Sequence, residues 1–202
     1  MLFTIGHTNH SREDFLKLLK QHEITYLLDV RSTPFSQYTS QYNKDVISEF
    51  LQKSGINYCH MGKFFGARPE DKSLYTKENY LDFEKMRASE LFKKGFDNVM
   101  KGLADGNNIV LMCTEKDPMD CHRAIMVARG FELQGIDANH ILPDGKLQTQ
   151  KELDARLLDR YFADRHQMSF LSNISEIPEE ELLVEAYRKR NAEIGYHNDS
   201  LQ

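Results

Sequence analysis

Apolar positions along the chain follow two alternating patterns. Short apolar runs at Leu2–Ile5, Thr25–Val30, Ile109–Met112 and Ala138–Leu142 read as strands, with a weaker one at Asn57–His60. Between them, apolar residues three and four apart mark helices. The groups are Phe15, Leu18 and Leu19; Val46, Ile47, Phe50 and Leu51; Phe92, Phe96, Val99, Met100 and Leu103; Ile125, Met126, Ala128 and Phe131; and Leu153, Leu157, Leu158 and Tyr161. Polar residues punctuate these helices. Ser11 with Asp14, Asn43, and Thr149 with Glu152 supply N-caps, and Gly55 and Gly135 supply stops. Thr76–Arg87 and Ser89–Leu103 read as two consecutive helices, and Asp144-Gly145 as a turn.

Strands alternating with helices predict an α/β fold. It is a three-layer, mostly parallel sheet of about five strands with helices on both faces, plus C-terminal helices. Residues 1–166 form a single α/β domain in this reading. Residues 167–202 supply a linker, over 169–177, and a C-terminal helix from Pro178 to Glu193 that ends in a frayed tail. Leu182, Leu183, Ala186 and Tyr187 give that helix an apolar face, which packs on its own domain or on another subunit of a homodimer.

The bulk numbers narrow the function classes. No apolar run approaches the roughly 20 residues that span a bilayer. The N-terminus lacks the basic start and long apolar stretch of a signal peptide. Three cysteines, an odd number, do not make a disulfide framework, so a reducing cytoplasm is expected. A net charge of −5 argues against a broad nucleic-acid surface and leaves room for a local basic pocket.

The chemistry concentrates where strands one, two and four end. In a parallel sheet these ends share one edge, where open α/β sheets bind ligands. That edge gathers Gly6, His7, Asp29, Arg31, Ser32, Cys113, Glu115, Cys121, His122 and Arg123. Cys113 ends the central strand. Cys121 stands near a helix start, whose unpaired amides and dipole lower a thiol pKa. The pair reads as a reactive thiolate or as two small buried thiols. As metal ligands, Cys113, Cys121 and His122 need completion by His7, Cys59, His60 or His140. The C-x7-C-H spacing matches no standard zinc module, and adjacent ligands are awkward to aim at one ion, so no metal or other cofactor is expected. Asp29 and Arg31 share a strand face and either pair with each other or contact substrate. His7 and Glu115 are acid/base candidates with structural alternatives.

Several of these residues fall in spaced motifs: Thr4-Ile-Gly-His7, Leu28-Asp-Val-Arg-Ser32 with Pro34 and Ser36, Tyr42-Asn43, and Cys113-Thr-Glu-Lys-Asp-Pro118 with Cys121-His-Arg123. In these the chain resembles the bacterial family called domain of unknown function 488, over about residues 2 to 142. The family's loop after the third strand looks like a paired-glycine turn, where this chain has Phe64-Phe65-Gly66-Ala67-Arg68. A looser resemblance, to rhodanese-like sulfurtransferases, rests on the Leu-Asp-Val-Arg strand end and on a cysteine delivered by a later strand. A Cys-x5-Arg anion loop would need arginine at 119, which is Met119, so phosphatase chemistry of that kind is disfavoured.

The function expected is a cysteine-dependent transferase or hydrolase. Cys113 or Cys121 is the thiol, and His122, Glu115 and His7 serve proton transfer. Arg31, Ser32, Arg123, Asp29 and Gly6 bind a small phosphorylated or nucleotide-like anion. The alternative is a non-catalytic nucleotide or nucleic-acid binding module that uses the same arginines.

Overall fold

The computed structural model describes residues 1–8, 10–165 and 177–198. The linker reading over 169–176 and the frayed tail at 199–202 lie outside the described residues.

Five parallel strands and one antiparallel strand make a single sheet in the order β3-β2-β4-β1-β5-β6. They are β1 (Leu2–Gly6), β2 (Tyr26–Asp29), β3 (Asn57–His60), β4 (Ile109–Cys113), β5 (Ala138–Ile141) and β6 (Leu147–Thr149). The central strands β1 and β4 are buried along their whole lengths, as continuous apolar strands must be when both sheet faces are covered.

Side-chain parity sorts the two faces. Phe3 and Ile5 of β1, Leu27 of β2, and Val110 and Met112 of β4 point one way. They pack on Phe15, Leu18 and Leu19 of α1 (Arg12–Gln21) and on Ile47 and Leu51 of α2 (Lys44–Lys53). Leu2, Leu28, Leu111 and Cys113 point the other way, into the larger core. That layer holds Phe65 of α3 (Gly62–Phe65), Phe83 of α4 (Phe83–Ala88), Phe92 of α5 (Glu90–Ala104), the helix after β4, and Leu153 and Leu157 of α7 (Gln150–Tyr161).

The helix after β4 is wound in two pieces. Arg123–Ala128 is π-helical, and Arg129–Glu132 continues it as α6. All six π-helical residues are buried, so the segment has no solvent face and crosses the core. A widened turn of this kind re-aims side chains and recurs at functional sites.

The sheet, expected at about five strands, has six, because Asp144-Gly145 turns the chain into a hairpin that adds β6 antiparallel to β5. Two local expectations are corrected. The helix expected from Thr76 begins only at Phe83. Asn79 takes a left-handed φ of 64°, which no helix accommodates, and Asp82 caps the late start by accepting from the amides of Glu84 and Lys85. Asn43 stands at the head of α2 without capping it, since its side chain accepts from the Ser36 amide at 2.7 Å and closes the preceding loop instead. The long loops after β2 and β3 carry short helical turns, at Ser40–Tyr42, Gly62–Phe65 and Lys72–Leu74.

The C-terminal helix, α8 (Glu179–Ile194), packs against the chain's own α7. Gln150 donates to the Tyr187 hydroxyl at 2.7 Å, and that hydroxyl donates to Asp154 at 2.5 Å. Asn191 accepts from the Phe83 amide and donates to the Leu81 carbonyl.

Candidate functional site

The register Gly6↔Cys113 and Asp29↔Met112 brings β1, β2 and β4 to one edge, where the sequence reading gathers its residues. Parity then divides them between the two faces.

On the α1/α2 face, Asp29 and Arg31 form a buried bidentate pair, with Arg31 Nε donating to Oδ1 at 2.9 Å and Nη2 to Oδ2 at 2.6 Å. Of the two readings for these residues, the ion pair is the one present. Tyr58 donates its hydroxyl to Asp29 at 2.8 Å, and Arg31 also donates to the Tyr42 carbonyl. Arg31 Nη1 donates to His7 Nε2 at 3.3 Å, and the His7 ring stacks on Tyr42 at 4.2 Å between centroids. Burial first, and the Arg31 charge second, lower the His7 pKa to about 4, so the ring is neutral at physiological pH. Tyr42 and Tyr58 were not singled out as partners of Asp29 and Arg31. Tyr42 has a motif position, but nothing in β3 marks Tyr58.

On the other face, Cys113 leaves β4 and meets the start of the next helix. Cys113 is 3 % exposed and Cys121 0 %. The two Sγ atoms and a ring nitrogen of His122 all lie within 4.8 Å of one another, with Cys113 Sγ 3.8 Å from Nδ1. Adjacent residues reach one point because the backbone changes conformation between them. Cys121 is extended (φ −133°, ψ 135°) and His122 is already helical (φ −58°, ψ −25°). His122 Nε2 lies 3.2 Å from the Val30 carbonyl, which accepts the ring N–H and turns Nδ1 toward the sulfurs.

Glu115 Oε2 lies 2.8 Å from Cys121 Sγ, a contact that needs a proton between them. Burial and the Cys121 charge raise the Glu115 pKa. Burial opposes a thiolate at Cys121. The hydrogen bond from Cys113, the Arg123 guanidinium and the His122 ring outweigh it and hold Cys121 well below the usual thiol range. Cys113 is pushed well above that range, by its hydrogen bond with Cys121 and then by burial. His122 is raised despite its burial, through its hydrogen bond and charge contact with Cys121.

The arginines and Gly6 have defined structural partners. Arg123 is fully buried, and its guanidinium donates to the carbonyls of Glu115 at 2.7 Å and Lys116 at 3.4 Å. Its Nε has no partner, and among the described residues it forms no ion pair within 4.0 Å. Gly6 lies under the same loop. Ser32 accepts from the Arg68 amide at 3.0 Å and touches Gly66, which ties the loop after β3 to the edge.

The residues proposed to complete a metal set remain apart from the cysteines in their bonding. His140 Nδ1 pairs with Thr4 Oγ1 at 2.8 Å, His60 with the Arg31 carbonyl, and His7 with Arg31, while Cys59 is exposed on β3. Two arginines outside the candidate set brace the cysteine loop. Arg156 pairs with Asp117 at 2.5 Å, and Arg190 of α8 donates to the Met119 carbonyl at 2.9 Å and to Asp120. Their distance along the chain hid them.

Neither a curated protein nor a solved structure matches the chain. A family model does, over residues 11–129, more than half of the chain and a span that includes β2, β4, both buried cysteines, His122 and Arg123. The chain belongs to the family described as Domain of unknown function DUF488.

Proposed function

We propose that this chain is an enzyme whose reactive group is the Cys121 thiolate, acting on a small anionic substrate of the phosphorylated or nucleotide-like class. The surroundings of Cys121 Sγ carry the reading. Within reach are a carboxyl group at 2.8 Å, the Arg123 amide at 3.5 Å, a second thiol and the His122 ring. A thiolate needs such stabilisation to persist at neutral pH, and a neighbouring acid to return the proton that it loses. Glu115 is the proton carrier in contact with the sulfur. His122, part-exposed where Cys113 and Cys121 are buried, stands on the solvent side of the cluster. Arg123 favours negative charge here, because its guanidinium is buried without a carboxylate partner among the described residues. Three free cysteines fit a reducing compartment such as the cytoplasm.

One observation favours the binding-module reading of the same edge. The loop after Arg31 leaves Phe35 64 % and Tyr38 97 % exposed, and such rings are stacking platforms for bases.

The test is the pH dependence of alkylation of each cysteine by iodoacetamide in chelator-treated native protein, read by peptide mass spectrometry. Cys121 should react ahead of the exposed Cys59 at about pH 6, where an ordinary thiol of pKa about 8.5 is almost wholly protonated. Labelling of Cys59 first at every pH, with Cys121 silent until denaturant is added, sinks the thiolate enzyme. The arginine-based binding module then stands, and it is checked by nucleotide thermal shifts on Arg31→Ala and Arg123→Ala.

A further inference from the structure

We infer that Cys113, Cys121 and His122 form a binding site for a thiophilic divalent cation of the zinc class, and that its occupancy masks the Cys121 thiolate. The inference rests on the thiolate reading only for its consequence, the masking. The site itself rests on geometry.

The first support is distance. A tetrahedral zinc with bonds of about 2.3 Å to sulfur and about 2.0 Å to nitrogen holds its sulfur and nitrogen ligands about 3.5 Å apart, and two sulfurs about 3.8 Å apart. Cys113 Sγ and His122 Nδ1 are 3.8 Å apart, and all three donors lie within 4.8 Å of one another. Cys113 Sγ and His122 Nδ1 need tenths of an ångström to meet on one ion, and no pair of donors needs to close by much more than about 1 Å.

The second support is orientation. Metal-bound histidines characteristically donate their far N–H to a carbonyl, which fixes the tautomer and aims the lone pair. His122 has that arrangement, with Nε2 on the Val30 carbonyl and Nδ1 toward the sulfurs. The Arg123 amide points at Cys121 Sγ from 3.5 Å, the kind of N–H contact that stabilises a thiolate ligand. The buried Arg123 guanidinium offsets the negative charge of two thiolates and a carboxylate around a dication.

The third support is rigidity. Cys113 is fixed at the end of a fully buried strand and His122 at the head of a buried helix. The loop between them is tied down by Arg123, Arg156 and Arg190. Two sulfurs and an imidazole select zinc over magnesium or calcium, which take oxygen. Three protein donors leave a fourth corner for solvent or for Glu115, which already touches Cys121 Sγ. Binding releases to solvent the Cys113 proton and the proton shared between Cys121 and Glu115, and forms two metal–sulfur bonds and one metal–nitrogen bond. No electrons are transferred. A thiolate so engaged is no longer a free nucleophile.

The experiment titrates chelator-treated full-length protein with Co²⁺ and Zn²⁺. Co²⁺ should bind at one equivalent, with a thiolate-to-cobalt charge-transfer band that Zn²⁺ displaces. The band should persist in Cys59→Ser and vanish in Cys113→Ser, in Cys121→Ser and, if those fold, in the double variant. The unsubstituted chain supplies a second measurement that needs no variant. Zn²⁺ at about ten times its dissociation constant should slow alkylation of Cys121 about tenfold by mass action, and leave Cys59 unchanged. Absence of the charge-transfer band, or equal alkylation with and without Zn²⁺ of a Cys121 that reacts when metal-free, overturns the metal site. A band with one equivalent bound, in a protein whose metal-free Cys121 is unreactive, upholds the metal site and overturns the thiolate enzyme instead.

Discussion

Gly6 lies so close beneath Glu115 that a Cβ on Gly6 would stand 1.9 Å from the Glu115 carbonyl oxygen. The loop carrying Glu115 crosses the end of β1 at backbone contact, and Arg123 donates to that same carbonyl at 2.7 Å. Gly6 therefore sets the height of the cysteine loop over the sheet. Gly6→Ala should cost about 1–3 kcal/mol, since the clash is with backbone and only a loop shift relieves it. Urea denaturation should give a lower midpoint. Labelling of Cys121 in the native state should change in rate with it. An unchanged midpoint would mean that the loop rises freely and that Gly6 places nothing.

Arg123 makes the complementary prediction. Its fork reaches two successive loop carbonyls, and a lysine has one point of attachment. Arg123→Met and Arg123→Lys should both destabilise the fold, by about 2–4 kcal/mol, through unpaired carbonyls and lost packing. Full stability in Arg123→Lys would show that charge suffices and the fork does not matter.

The periodic elements were legible because hydrophobic burial imposes its spacing directly on the sequence. β1, β2, β4 and β5, the α1 and α5 stripes and the Thr149–Glu152 capping box are of this kind. The shared edge followed from parallel topology. Its division into two faces did not, because it depends on register. Ile5 and His7 alternate with Thr4 and Gly6, but only the pairing Gly6↔Cys113 reveals that His7 and Cys113 point apart. The π-helical winding at Arg123–Ala128 was invisible for a related reason. An all-buried helix has no polar stripe from which to count its period. The convergence of Cys121 and His122 depends on a single backbone change between neighbours, which spacing rules average away. Local chemistry misled twice. Asn79 broke a helix that its neighbours favour, and Asn43 gave its side chain to Ser36.

His7 ties this architecture to pH. Its folded pKa of about 4 lies below the ordinary value of 6.5, chiefly through burial and then through Arg31. The folded state therefore binds fewer protons than the unfolded state in that window. The stability it contributes is complete above pH 6.5 and is lost as pH falls toward 4, with a ceiling of about 3 kcal/mol. His140, lowered to about 3 by burial and by Arg123, acts in the same direction. Urea midpoints measured from about pH 7 to pH 4 should fall steeply in the unsubstituted chain and more gently in His7→Gln. Parallel curves would remove His7 from the acid sensitivity.

Arg190 connects the C-terminal helix to the candidate site, and a second arginine on the same helix provides the control. Arg190 is 6 % exposed and donates to the Met119 carbonyl and to Asp120, so α8 holds the turn that ends at Cys121. Arg188, two residues earlier, pairs with Glu84 at 2.9 Å with its side chain 56 % exposed. Exposed pairs contribute about 0–1 kcal/mol, whereas removing a buried guanidinium strands the buried Met119 carbonyl that it satisfied. Arg190→Ala should therefore speed amide exchange across 117–121 and raise the alkylation rate of Cys121, while the sheet amides of β1 and β4 keep their protection. Arg188→Ala should leave both rates unchanged. Equal effects from the two variants, or exchange confined to α8 itself in Arg190→Ala, would mean that the helix merely covers the domain and exerts no hold on the cysteine loop.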